Sequence, residues 1–159
     1  MPSVIFLDFD GVLNHRGTFE RMNAKYEGWK ESDPLPPDEE HFEPRLVERV
    51  ARLAVEERAM IAVVSSWRNR LDAQRCEALL RAVGLPDSVF VTSCAAKCSK
   101  GEAIRRFLDG TRVSSFVILD DGPGELPRAL LDRLVAPNGS VGITDADVER
   151  ARRILTRKL

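Results

Sequence analysis

Nowhere does the chain hold an apolar run approaching the ~20 residues that a membrane-crossing helix requires, so no membrane partner is expected. Neither sign of charge prevails: 24 lysines and arginines stand against 25 aspartates and glutamates, a formal net charge of −1. A protein that grips nucleic acid by bulk charge is normally basic, so any such contact here has to be local. Cysteine is scarce and odd in number, with Cys76, Cys94 and Cys98, which argues against a disulfide framework. Cys94 and Cys98 have no second pair to complete a zinc site. The first residues run into a strand-like segment without a charged leader or a small-residue cleavage site, so a cytoplasmic, reduced setting is the expectation. Internal repeats and low-complexity tracts are absent.

What is present suits one compact domain: 159 residues, 43% of them hydrophobic. Ser3 to Phe9 is a nearly continuous apolar run, the pattern of a strand buried on both faces of a parallel sheet. Residues 14–44 break that pattern with Pro34, Pro36, Pro37 and the acidic Asp38, Glu39 and Glu40, which reads as a long loop or flap. Pro44 then opens a helix with Leu46, Val50 and Leu53 at helical spacing. Strands are expected at Met60 to Ser65, Ser88 to Val91, Ser114 to Leu119 and Leu134 to Ala136. Helices are expected at Asn69 to Val83, at Ser99 to Leu108 behind a Ser99-x-x-Glu102 capping box, and after Thr144. The alternation predicts an α/β domain, a three-layer doubly wound (Rossmann-like) parallel sheet.

In such folds ligands bind beyond the carboxyl ends of the strands. The reactive residues fall there: Asp8 and Asp10 after the first strand, Ser66 after the second, Asp120 and Asp121 after the fourth. Lys100 falls in the first turn of the capped helix, where backbone N–H groups also favour an anion. Carboxylates crowded into one crevice raise each other's pKa, and a hard divalent cation relieves the repulsion; Mg²⁺ suits carboxylates, waters and phosphate oxygens. One carboxylate can attack phosphorus, a second can protonate the leaving oxygen and then activate water, and the metal and lysine can neutralise the phosphoryl charge. Alone, Asp-x-Asp-Gly says little, because Asp and Gly are common in turns. Its weight comes from the buried strand before it and from the other residues following in order.

The segments Ile5 to Asn14, Val63 to Arg68, Lys100 to Ile104 and Ile118 to Asp121 resemble the four motifs of the haloacid dehalogenase (HAD) superfamily, in the family's order. They look most like small HAD domains associated with RNA repair, which are similar in turn to polynucleotide 3′-phosphatase domains. The resemblance implies a HAD-like fold with no large cap and a phosphatase that forms an aspartyl-phosphate. It implies Asp8 as nucleophile and Asp10 as general acid/base whose main-chain carbonyl also touches the metal. Ser66 and Lys100 would bind the transferring phosphoryl group, and Arg68 matches the arginine of the Ser-x-Arg pattern in polynucleotide 3′-phosphatases. Mg²⁺ would be held by Asp8, Asp10, Asp120 and Asp121. Ser65 competes with Ser66 for the serine role; Ser66 is favoured for its place at the end of the strand. Lys97 is the near competitor of Lys100.

The leading expectation is a phosphomonoester hydrolase acting on a phosphorylated substrate, with polynucleotide ends among the candidates. A nucleotidase or small-metabolite phosphatase, with the flap as lid, is the first alternative. The second is a non-catalytic module that keeps the fold, although none of the motif residues is lost. Phe19, Tyr26 and Trp29 alternate in the flap with Arg16, Arg21, Lys25 and Lys30, a mixture that can bind a nucleic-acid strand. The plainer expectation is that these aromatics pack the flap onto the domain while the charges face water.

Overall fold

The computed structural model describes residues 1–92, 98–124 and 126–159. Cys94 and Lys97 lie outside them. Five parallel strands form one sheet in the order β3-β2-β1-β4-β5: β1 is Ser3–Leu7, β2 Ala59–Val63, β3 Val89–Val91, β4 Ser115–Leu119 and β5 Leu134–Val135. The strands stop in register, with Leu7 paired to Val63 and Leu119, Val63 to Val91, and Leu119 to Val135. Each residue that follows a strand therefore emerges along one rim.

Alternation along the strands divides their side chains between two cores, because successive Cβ atoms point to opposite faces. Ile5 and Leu7 join Ile61, Val63, Val117 and Leu119 on one face, under the helices α2 (Pro44–Glu56), α3 (Ala73–Ala82) and α5 (Asp145–Thr156). Val4, Phe6, Ala62, Phe116 and Ile118 point the other way and pack against Ala103 and Ile104 of α4 (Lys100–Gly110). A side chain such as Leu119, fully buried, contributes roughly 1.5–3 kcal/mol by leaving water. Both faces of the sheet are thus covered, giving the three layers expected from the apolar strand runs. Among the described residues no helix is long and apolar enough to cross a membrane.

Helix boundaries follow side-chain caps. Ser99 accepts from the Glu102 amide at 3.2 Å while the Glu102 carboxylate accepts from the Ser99 amide at 2.9 Å, so α4 begins at Lys100. Thr144 and Asp147 make the same reciprocal pair at the start of α5. The helix expected from Asn69 starts later, because Asp72 caps Arg75 N at 2.8 Å; before it, Ser66–Asn69 winds into a short 3-10 turn.

Residues 14–44 are not one open loop. Arg16–Lys25 forms helix α1, and Asp38–His41 a 3-10 turn. Only Thr18 and Met22 of α1 are buried, too few inward side chains to leave an amphipathic stripe in the sequence. Of the three aromatics expected to pin this insertion, Phe19 and Trp29 stay exposed and Tyr26 is half-buried, while Thr18, Met22 and Phe42 are buried. The insertion closes on Glu43, whose amide donates to Leu13 O at 2.9 Å and whose carboxylate accepts from Thr18 Oγ1 at 2.7 Å and pairs with Arg21.

Candidate active site

Asp8 continues β1 beyond its last paired residue, its amide donating to Leu119 O at 2.9 Å. Asp120 does the same for β4, donating to Val135 O at 3.3 Å. The two carboxyl groups therefore stand side by side, only 5% and 4% of each residue exposed. Bare carboxylates at that depth would repel each other strongly. Lys100 answers them from the first position of α4, with Nζ 3.1 Å from Asp8 Oδ2 and 2.9 Å from Asp120 Oδ2. Burial works to lower the pKa of this amine, but the hydrogen bond to Asp120 and the charges of Asp8 and Asp120 outweigh it and hold the group above its usual range.

One amine does not fully compensate two buried acids. Burial first, and the charge of Asp120 second, push the Asp8 carboxyl up to about 6 in spite of Lys100. Asp121, more exposed, is raised for the same two reasons. Oxygens of Asp8, Asp120 and Asp121 lie within 4.8 Å of one another. Opposite ligands of an octahedral Mg²⁺ stand ~4 Å apart, so small side-chain rotations would bring this all-oxygen set onto one such cation. The donor chemistry and the unbalanced negative charge both fit a hard divalent ion.

Asp10 takes a different course. After Asp8 the chain turns tightly, with the amides of Val12 and Leu13 donating to Phe9 O at 3.0 and 2.8 Å, and Gly11 adopts a positive φ of 79°. The Asp10 carboxylate does not join the other three; its Oδ1 accepts from Asn14 Nδ2 at 3.0 Å. Asn14 is fully buried, although its polar side chain made it look like the first residue of the flap. It bonds to Asp10, a contact that the sequence reading, which only closed the first motif segment on it, did not assign. The available signal was an amide directly after the apolar Val12 and Leu13.

At the end of β2, Val64 still pairs through its amide with Leu7 O at 3.0 Å, and Ser65 is the next residue. Ser65 is fully buried, and its Oγ accepts from Trp67 N at 3.3 Å, capping the 3-10 turn. Ser66 opens that turn and is exposed. The residue directly at the strand end is thus Ser65, one position before the one that the apolar run suggested.

Arg68 is half-buried and directs its guanidinium inward: Nη1 donates to Val64 O, and Nη2 to Cys98 O at 2.8 Å. It ties the end of β2 to the approach of α4, which carries Lys100. Desolvation lowers its pKa, and the charge of Asp8 partly offsets this.

The structure thus gathers Asp8, Lys100, Asp120 and Asp121 into one contact group. It sets Asp10 beside them on its own partner, puts the two serines on the same rim, and commits Arg68 to main-chain carbonyls. Among curated proteins and among solved structures, none matches the chain. A family does: the sequence model of the HAD domain in Swiss Army Knife RNA repair proteins matches residues 4–148, and with well over half of its length inside that match the chain belongs to this family.

Proposed function

We propose that the protein is a Mg²⁺-dependent phosphomonoester hydrolase that works through a phosphorylated Asp8, with phosphorylated nucleic-acid ends as its substrate class. The observation that carries this reading is the Lys100 amine within 3.1 Å of Asp8 and 2.9 Å of Asp120, beside a third carboxylate. That is a nucleophile held next to one fixed positive charge and to donors for a second. The substrate class rests on the family's place in RNA repair proteins.

In the first step an Asp8 carboxylate oxygen forms a bond to phosphorus as the bond to the leaving oxygen breaks, and Asp10 gives that oxygen its proton. In the second step Asp10 takes a proton from water, the water oxygen bonds to phosphorus, and Asp8 is released with inorganic phosphate. Held by Asp8, Asp120 and Asp121 with the Asp10 carbonyl, Mg²⁺ would supply positive charge to the phosphoryl oxygens. Lys100 adds its own positive charge beside Asp8 and works against the burial that favours the protonated acid. Dehalogenation is disfavoured, because attack on carbon has no use for the proton that Asp10 carries.

A serine hydroxyl completes the phosphoryl pocket. Ser66 is exposed and open to a ligand, whereas Ser65, at the strand end, accepts from Trp67 and still has its own hydrogen to donate. Alanine variants at each position separate them: the phosphoryl-binding serine is the one whose loss lowers kcat/KM by roughly tenfold or more. Arg68 would reach a substrate phosphate only by exchanging one of its two carbonyl bonds.

The test is turnover of a 3′-phosphorylated oligonucleotide, free nucleotides and sugar phosphates, with and without Mg²⁺, by wild type and Asp8→Asn. Release of phosphate from the oligonucleotide, absent in Asp8→Asn, is the expected result. Preference for free nucleotides would replace the substrate class with the metabolite alternative. Unchanged activity in Asp8→Asn would remove the covalent route, and no turnover of any phosphate ester by wild type would leave a binding module.

A further inference from the structure

Asn14 spends its whole side-chain amide on three separate partners. Its Oδ1 accepts from Gly11 N at 2.8 Å, and its Nδ2 donates to Asp10 Oδ1 and to His41 O, both at 3.0 Å. The orientation of the amide is forced: reversed, its oxygen would face a carboxylate and a carbonyl, and its NH₂ would face an N–H. Among the described residues this is the hydrogen bond that the Asp10 side chain makes. It accounts for why Asp10, two residues from Asp8, stays out of the group formed by Asp8, Asp120 and Asp121.

Asn14 is braced from behind. His41 belongs to the 3-10 turn that ends the insertion, and its ring stands edge-on to Trp67 at 4.9 Å. The Arg70 guanidinium lies 4.3 Å from the Trp67 ring and pairs with Asp38. The returning arm of residues 38–43 is therefore clamped to the turn after β2, and through the His41 carbonyl it fixes the amide that holds Asp10.

We propose that Asn14 is a positioning residue for the general acid/base: it draws one Asp10 oxygen away from the cation-binding carboxylates and so presents the other to the leaving group. This rests on the phosphatase reading above and deepens it. The P–O bond that breaks in the first step leaves charge on the departing oxygen, and a misplaced Asp10 cannot deliver its proton there. An alkoxide, as left by a sugar 3′-phosphate, needs that proton; p-nitrophenolate leaves well without it.

The experiment measures kcat/KM for a 3′-phosphorylated oligonucleotide and for p-nitrophenyl phosphate, in wild type, Asn14→Ala and Asn14→Asp. Asn14→Asp keeps an oxygen for Gly11 N but loses the donor to Asp10. kcat/KM reports events only through departure of the leaving group, and the ratio between two substrates on one preparation is independent of how much of a variant is folded. Both variants should lose roughly a hundredfold or more on the oligonucleotide, the scale of general acid catalysis, and only a few-fold on the aryl ester. Equal losses on both substrates, or none on either, would overturn the assignment while leaving the phosphatase reading in place. Wild type that cleaves only the aryl ester would overturn it too, and wild type that cleaves neither would sink both readings together.

Discussion

The carboxylate of Asp121 occupies the space that a side chain on Gly11 would need. A Cβ at Gly11 would lie 2.4 Å from Asp121 Oδ2, and Gly11 also has a φ of +79°. Gly139 approaches the same oxygen beside Gly11, its would-be Cβ 3.1 Å from Oδ2 and 3.7 Å from Gly11 Cα. Gly11→Ala is therefore expected to cost about 1–2 kcal/mol in backbone strain and to push Asp121 off the acid cluster. Titrating turnover with Mg²⁺ should show half-maximal activity at a roughly tenfold higher Mg²⁺ concentration in this variant. In an Asp121→Gly background the same substitution should cost less, because the Asp121 Cβ, Cγ and Oδ2 atoms that it would meet are all gone; strict additivity of the two would refute the steric account.

Asp8→Asn should make the metal-free protein more stable while removing turnover. The folded-state pKa of Asp8, about 6, lies above its ordinary 3.8. The folded state thus holds this proton more tightly than the unfolded one, so the stabilising effect is complete below pH ~4 and is lost as pH rises through 6. A shift of that size corresponds to roughly 3 kcal/mol. Asparagine resembles the protonated acid, so the stability gap between variant and wild type should be near zero at pH 4 and open toward pH 7.5. Chemical denaturation at both pH values without metal gives the comparison, and a gap independent of pH would contradict it.

Mg²⁺ should close that gap. A cation that binds the folded acids alone stabilises wild type increasingly with the logarithm of its concentration above Kd, and Asp8→Asn offers it one carboxylate fewer. Melting curves across a Mg²⁺ series should show a larger upward shift for wild type at pH 7.5 than at pH 5. No shift at any concentration would count against a metal at this site.

Lys100→Met removes the counter-charge from two buried acids. Turnover should fall by roughly a hundredfold or more, as when a single charge-stabilising group is lost from a transition state. Stability at pH 7 without metal should fall by about 1–3 kcal/mol, below the usual cost of breaking a buried pair because the lysine side chain is 30% exposed. Mg²⁺ should recover part of this loss. Stability unchanged from wild type would mean that the contact between Lys100 and the acids contributes nothing in solution.

For Arg68 the bonds to Val64 O and Cys98 O predict a brace between β2 and α4. Arg68→Ala should lower kcat on oligonucleotide and aryl phosphate alike and reduce thermal stability. A rise in KM confined to the oligonucleotide would return Arg68 to a direct contact with the substrate.

Much of this was legible from the residues because the sheet is buried on both sides. An unbroken apolar run such as Val4 to Leu7 has few alternatives to a central parallel strand, and Ser99 with Glu102 marks a helix start through two reciprocal bonds. Helix α1 was hidden because its inward face is only Thr18 and Met22. Asn14 was hidden for a different reason. One of its partners, the His41 carbonyl, lies far along the chain and is a main-chain atom, which any residue type supplies. The uncertainty between Ser65 and Ser66 was one of phase: an apolar run shows that a strand ends, but not which of two adjacent serines first leaves the ladder.

The common stopping line of the strands has a consequence for how this chain can change. Asp8 and Asp120 meet because Leu7 and Leu119 are paired neighbours. Deleting a single residue inside β1 or β4 would swing the following aspartate to the opposite side of the pleat. Lengthening a connection on the surface leaves that phase untouched, as the thirty or so residues between Asn14 and Pro44 already illustrate. The domain should therefore tolerate long grafts in its connections and fail on the smallest frame slip within a strand.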